Sequence, residues 1–92
     1  MNAPNSDVIT GSVINLGKPH KVILFNDEHH SMEEVVAQIV KAINCSPTQA
    51  TAMMIEAHTK GRVIVFTGTL ERCELVESVL AEIRLGTKIE EA

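Results

Sequence analysis

The chain has 92 residues, enough for one compact domain with a single hydrophobic core and too few for two. Its residues are 45% hydrophobic but include only two aromatic side chains, Phe25 and Phe66, which predicts an aliphatic core and argues against base stacking. The formal net charge of −4 leaves no basic surface for nucleic acid or an anionic membrane, so we expect neither as a partner.

The first twenty residues show no sustained hydrophobic period. Residues 1–20 mix Asn, Ser, Gly, Pro and Thr with scattered aliphatic residues, and we predict a flexible N-terminal tail there. The folded core domain is predicted for residues 21–92. It begins with an apolar run at residues 21–26 that is typical of a buried strand.

Two helices are predicted next, each by a capping signal followed by an apolar stripe. Ser31 and Glu34 have the spacing of a capping box, and the first helix begins at Met32. Ser46 caps the second helix, which ends before Gly61. The predicted buried positions are Met32, Val35, Val36, Ile39, Val40 and Ile43 in the first helix, and Ala50, Met53, Met54 and Ala57 in the second.

The rest of the chain predicts a strand, a helix and a short edge strand. The strand covers residues 62–67, the helix residues 70–85 and the edge strand residues 87–90. The predicted buried face of this helix is Leu70, Cys73, Val76, Val79, Leu80 and Ile83. The order β-α-α-β-α-β predicts an α+β fold, a two-layer domain with a three-stranded sheet and the helices packed on one face.

Cysteine spacing and the length of the apolar runs bear on the compartment. Cys45 and Cys73 are isolated and fit buried, reduced thiols, although the sequence alone leaves a bridge open. No apolar run is long enough to span a membrane, and the N-terminus lacks a signal-peptide pattern. We therefore expect a cytoplasmic protein, and we expect it to be a monomer.

Polar residues concentrate between the first strand and the first helix. The run Asn26, Asp27, Glu28, His29 and His30 lies in a predicted loop, where functional residues often occur. His58 is predicted in the last turn of the second helix, next to the Met53 and Met54 pair. A purely structural interpretation also fits, because acids suit a helix N-terminus and a histidine suits a helix C-terminus.

Two short segments resemble the ClpS adaptor family. They are residues 21–28 (KVILFNDE), followed by Met32 at the helix start, and residues 57–62 (AHTKGR). The resemblance extends from residue 21 to the C-terminus. It implies a non-enzymatic adaptor, without a cofactor, that binds proteins by their N-terminal residue. Such an adaptor delivers them to the N-domain of a Clp AAA+ chaperone, ClpA-like or ClpC-like. The family's usual targets begin with Leu, Phe, Tyr or Trp.

The resemblance also assigns roles to individual residues. By position, Asn26, Asp27, Glu28 and His58 match the groups around the substrate α-amino group, and His30 matches a loop contact near the substrate backbone. An amide oxygen, a carboxylate and a neutral imidazole nitrogen are suitable acceptors for an ammonium. The side-chain pocket is matched by Met32, Val35, Met54, Ala57 and Leu85. Glu71 matches an acidic residue of the chaperone-docking surface.

The sequence bears on three other functions. A metal site could use the acids and histidines of residues 27–30 with His58, but adjacent loop residues rarely supply the separated ligand pairs of a structural site, and none is predicted. A hydrolase needs a nucleophile, a base and an orienting group, and no such set is apparent, so no catalytic residue is predicted. The alternative that stays open is an interaction domain of the same fold that no longer recognises N-terminal residues.

Overall fold

A computed structural model describes residues 17–92, in which three strands and three helices follow the predicted order. Strand β1 begins at His20, one residue earlier than predicted, and residues 1–16 of the predicted tail lie outside the described residues. The elements are β1 (His20–Phe25), α1 (Met32–Ile43), α2 (Pro47–Lys60), β2 (Arg62–Gly68), α3 (Leu70–Ala81) and β3 (Thr87–Glu91).

Strand β1 is the central strand of an antiparallel sheet of order β2-β1-β3. Val22 pairs with Phe66 and Ile23 with Ile64, so Val65 has no partner across the ladder and forms a β-bulge. At the start of β1, the amide of Ala92 donates to the Pro19 carbonyl at 2.9 Å. The other end of β1 leads into the loop that precedes α1.

The hydrophobic core lies between the sheet and the three helices. Val22 and Leu24 contribute from β1, whereas Ile23, which alternates with them, is buried outside this cluster. The arrangement confirms the α+β fold. The other buried members of the cluster are Val35, Ile39, Ala50, Ala57, Val63, Val65, Cys73, Val76, Leu80 and Leu85.

The first two helices begin at the predicted capping boxes. Ser31 Oγ accepts from the Glu34 amide at 3.1 Å, and Glu34 Oε1 accepts from the Ser31 amide at 2.9 Å. Ser46 and Gln49 form the same pair before α2. Gly61 ends α2 with φ of 89°, and its amide donates to the Ala57 carbonyl. Capping therefore sets the start of α1 and both ends of α2.

Helix α3 ends earlier than the predicted boundary at residue 85. Its last residue is Ala81, and Arg84 has φ of 62° where glycine is usual. The amide of Arg84 donates to the Ala81 carbonyl and that of Leu85 to the Leu80 carbonyl, which is the hydrogen-bond pattern of a Schellman motif. The predicted boundary was wrong because the left-handed turn forms at Arg84, and the burial of Leu85 against the core offsets the strain in the arginine.

The buried face of α3 is also narrower than predicted. Cys73, Val76 and Leu80 are buried, but Leu70 is 44% exposed. Leu70 is the first residue of the helix and lies outside the core cluster, so its predicted place on the buried face was wrong.

The loop between β1 and α1 is organised by the Asp27 carboxylate. Asp27 Oδ2 accepts from the His29 amide, the His30 amide and His30 Nδ1, at 2.9, 2.6 and 3.0 Å. Partial burial alone would raise the pKa of Asp27, but the hydrogen bonds from His30 and His29 outweigh it and hold that pKa below its usual value. Asp27 is thus a charged acceptor around which the loop folds.

Replacing Gly61 tests how α2 ends. No atom lies within 4 Å of a Cβ built on Gly61, so the cost of Gly61→Ala is conformational alone. We expect the left-handed φ to lower the free energy of unfolding by about 1–2 kcal/mol, measured by urea denaturation. Gly61→Asn is the control and should lose less, because asparagine tolerates this conformation. An alanine variant as stable as the natural protein would contradict this account.

The Asp27 contribution to stability should disappear in acid. Because its pKa is lowered on folding, the contribution is complete above the ordinary value of 3.8 and is lost as pH falls through the folded pKa. Asp27→Asn should therefore be less stable than the natural protein at neutral pH and by a smaller margin well below pH 3.8. The other carboxylates are common to both proteins and cancel in the comparison. A margin that does not change with pH would refute the role of the charge.

Candidate functional site

A cavity of about 240 Å³ opens to solvent at the end of β1, between α1 and α2. It brings together every residue predicted to surround an α-amino group and all but Leu85 of those predicted for a side-chain pocket. The lining residues are Leu24, Phe25, Asn26, Asp27, Glu28, His30, Met32, Val35, Met54, Ile55, Ala57 and His58.

Backbone contacts hold the polar part of the cavity in place. The Asn26 amide, directly after β1, donates to the Gly61 carbonyl at 2.9 Å. Gly61 ends α2, and His58 lies in the last turn of the same helix. This hydrogen bond therefore fixes the start of the loop beside the C-terminal turn that carries His58.

The polar side chains retain free acceptor atoms. Asn26 Nδ2 donates to Glu28 Oε2 at 2.7 Å, and because a carboxylate only accepts, the Asn26 oxygen is the atom left over. Within the described residues, no protein group bonds to Asn26 Oδ1, Glu28 Oε1 or the His58 ring. The three side chains thus offer an amide oxygen, a carboxylate oxygen and an imidazole nitrogen to a ligand.

Asp27 and His30 are more constrained than their neighbours. Asp27 Oδ2 already accepts three hydrogen bonds within the loop, so its main visible role is to shape the loop. Because ionised Asp27 can only accept, His30 Nδ1 must donate, which leaves Nε2 of the neutral ring as an acceptor. His30 lines the cavity with a ring whose orientation is set by Asp27.

The rest of the lining is apolar, and it includes both buried and exposed side chains. Leu24, Val35 and Ala57 are buried and form the floor, and Met54 is half-buried. Met32 and Ile55 are exposed, so the buried position predicted for Met32 was wrong. The cavity therefore combines a polar rim with a floor of aliphatic and thioether side chains.

Two predicted residues do not line the cavity. Leu85 is 5% exposed and packs in the core, because the Schellman closure of α3 turns it inward. Glu71 is exposed in the first turn of α3. Glu71 therefore lies apart from the cavity.

Three lining residues were not singled out from the sequence. The sequence predicts only a buried strand for Leu24 and Phe25, and no local pattern indicates that the end of this strand borders a cavity. Ile55 did carry a signal, since it is a large apolar residue outside the predicted buried face of α2. Single exposed apolar residues are common on protein surfaces, so Ile55 alone does not indicate a cavity.

The described part of the chain limits the chemistry that the site can perform. Among residues 17–92, no group of three or more His, Cys, Asp or Glu side chains is arranged to hold a metal ion. The hydroxyls next to lining residues in sequence are already bonded: Ser31 Oγ caps α1, and Thr59 Oγ1 donates to the Ile55 carbonyl at 3.0 Å. Neither Cys45 nor buried Cys73 lines the cavity, and burial raises the pKa of the Cys73 thiol. The arrangement is suited to binding a cation that carries an apolar group.

Membrane insertion is a separate question from this site. None of the helices in residues 17–92 has the length and apolar character needed to cross a bilayer.

Comparisons with known proteins agree with one another. The model of the family "ATP-dependent Clp protease adaptor protein ClpS" matches residues 16–84. The ClpS adaptor of Gloeobacter violaceus is 33% identical over 72 residues, which cover 77% of each chain. That of Acetivibrio thermocellus is 33% identical over 69 residues, covering 71% of this chain and 70% of its own.

Two further relatives differ in kind. The human E3 ubiquitin-protein ligase UBR2 is 36% identical over 58 residues, but these are 63% of this chain and only 3% of the ligase. The solved structure of Agrobacterium tumefaciens ClpS2 bound to L-phenylalaninamide has a TM-score of 0.76 at 21% identity, over 82% of this chain and 98% of that one. It shares the fold. The family model and the bacterial adaptors show that the chain belongs to the ClpS family of Clp protease adaptor proteins.

Proposed function

We propose that this adaptor captures proteins by a free N-terminal α-amino group together with a large apolar first side chain, and delivers them to a Clp AAA+ chaperone–protease. The observation that carries the proposal is the cavity itself, in which unpaired acceptors of Asn26, Glu28 and His58 adjoin a buried apolar floor. In a polypeptide N-terminus, one carbon atom joins a cationic amino group to a side chain. A site that binds it therefore needs both polar acceptors and an apolar surface.

The acceptor set matches an ammonium group. An α-ammonium has three N–H donors, and the site offers one free acceptor each on Asn26, Glu28 and His58. Each charge-assisted hydrogen bond contributes on the order of 1.5–3 kcal/mol, but removing the ammonium from water offsets much of that gain. The polar rim therefore chiefly selects free amino groups over blocked ones.

The apolar floor matches an aliphatic or aromatic side chain. An apolar cavity of about 150 Å³ is known to admit a benzene molecule. The cavity of about 240 Å³ therefore has room for the side chain of Leu or Phe. Its burial contributes roughly 1.5–3 kcal/mol. We expect a total of about −8 kcal/mol, a micromolar affinity that allows the adaptor to release its cargo.

One relative supports this ligand class. Agrobacterium tumefaciens ClpS2 shares the fold and was solved with L-phenylalaninamide, a molecule with a free amino group and an apolar side chain. This chain carries the corresponding chemistry in Asn26, Glu28 and His58 above Leu24 and Val35.

Chaperone docking requires a second surface, and α3 is the candidate. Glu71 and Leu75 are four residues apart and so lie on one side of α3, where Leu75 is 68% exposed. Neither lines the cavity. An exposed leucine beside an acid suits a partner with an apolar patch and a basic side chain.

The first test compares peptides that differ only at their N-terminus. Fluorescence anisotropy of the full chain should give micromolar affinities for peptides beginning with Leu or Phe. Acetylation of the leading Leu should weaken binding at least about ten-fold, because the charge and two donors are lost. Equal binding of free and acetylated peptides would instead indicate an interaction domain indifferent to the N-terminus.

A pair of histidine variants tests the acceptor role. His58→Ala should weaken binding of the Leu peptide by about ten-fold, because it removes one acceptor from the ammonium site. His29→Ala is the matched control, since His29 is exposed and does not line the cavity, and its affinity should not change. A His58 variant that binds as well as the control would remove this residue from the site.

Variants of α3 separate docking from capture. Leu75→Ser should abolish adaptor-dependent degradation of a Leu-first protein by ClpA or ClpC with its protease, while peptide affinity stays unchanged. Thr48→Ala, an exposed change at the start of α2, should affect neither. Full degradation with Leu75→Ser would place the docking surface elsewhere.

A further inference from the structure

We propose that Met32 and Ile55 form a second subsite at the mouth of the cavity, one that takes an apolar side chain at the second position of the bound N-terminus. The proposal rests on the proposed function. It extends that function from a one-residue signal to a two-residue signal.

The first observation is exposure. Met32 is 64% exposed and Ile55 is 51% exposed, and both line the cavity. Exposing large apolar side chains to water is unfavourable, and single ones are common on protein surfaces. Here two of them come from different helices, α1 and α2, and border one opening. Such a pair at a binding site indicates a contact that forms when a ligand arrives.

The second observation is their position relative to the rest of the site. Met32 is the first residue of α1 and lies one turn before Val35, which belongs to the buried floor. Ile55 lies one turn before His58 on α2. Both side chains line the cavity and are exposed, so they border its opening to solvent.

Covalent geometry brings the second residue to this place. With the α-amino group at the polar rim and the first side chain on the floor, the first carbonyl points out of the mouth. The next Cα follows at about 3.8 Å, so the second side chain starts beside the opening. The torsions of a free N-terminus can rotate that side chain onto the Met32 and Ile55 surface. An apolar residue gains from this contact, whereas a serine does not.

The test uses peptides that begin with Leu and carry Leu or Ser at the second position, with the same exchange at the third position as a reference. The full chain should bind the Leu-Leu peptide about five-fold more tightly than the Leu-Ser peptide, since only part of the second side chain becomes buried. The exchange at the third position should have no effect. A preference at the third position, or none at the second, would overturn the subsite.

Alanine variants at three exposed apolar residues identify which side chains cause the second-position preference. Ile55→Ala, and independently Met32→Ala, should reduce the second-position preference to less than about two-fold. Ile64→Ala is the control, because Ile64 is 48% exposed on β2 but does not line the cavity, and it should keep the full preference. Retention of the second-position preference in either the Met32 or the Ile55 variant would overturn the proposal. Equal binding of acetylated and free Leu-Leu peptides would instead reject the first-residue function.

Discussion

The site depends on one backbone hydrogen bond, from the Asn26 amide to the Gly61 carbonyl at 2.9 Å. These residues are far apart in sequence, one directly after the central strand and the other at the end of α2. Gly61 can take part because its left-handed φ of 89° turns the chain from α2 into β2 within a single residue. The turn keeps the last part of α2 beside the β1–α1 loop. The cavity is the space enclosed between them.

The loop divides its polar groups between structure and binding. One oxygen of Asp27 accepts three hydrogen bonds, and Ser31 and Glu34 form the capping box at the start of α1. Asn26 and Glu28 bond to each other and still keep one free acceptor each. A binding site for a cation benefits from such preorganisation, because its acceptors do not have to be ordered when the ligand arrives. The proposed capture site therefore includes a loop whose internal hydrogen bonds form without a ligand.

The two proposed binding surfaces use different parts of the fold. The cavity draws on β1, α1 and α2, whereas Glu71 and Leu75 lie on α3 and do not line it. An adaptor has to hold its cargo and its chaperone at the same time, and separate surfaces make this sterically feasible. Gln38 of α1 connects the two regions, because its side chain donates to the Val79 carbonyl of α3 at 2.6 Å. The same carbonyl also accepts from the Glu82 amide at 3.1 Å.

Local signals in the sequence determined most element boundaries. Ser31, Ser46 and Gly61 act through hydrogen bonds to neighbours within four residues, so α1 and α2 could be placed from the sequence. The end of α3 could not. Arg84 adopts a conformation that arginine disfavours, and it does so because Leu85 is buried against a core assembled from distant residues. The same burial removes Leu85 from the cavity, where its position in the sequence had suggested a role.

The sequence by itself also determined which chemical groups were available. Asn26, Glu28 and His58 could be recognised as an acceptor set through their resemblance to a known family. Only the tertiary structure decided that they meet at one cavity, that Asp27 is largely occupied within the loop, and that Ile55 joins Met32 at its opening. The physical reason is the distance along the chain over which each effect acts. Capping and periodicity act over a few residues, whereas a cavity exists only after strands and helices from separate parts of the chain have packed together.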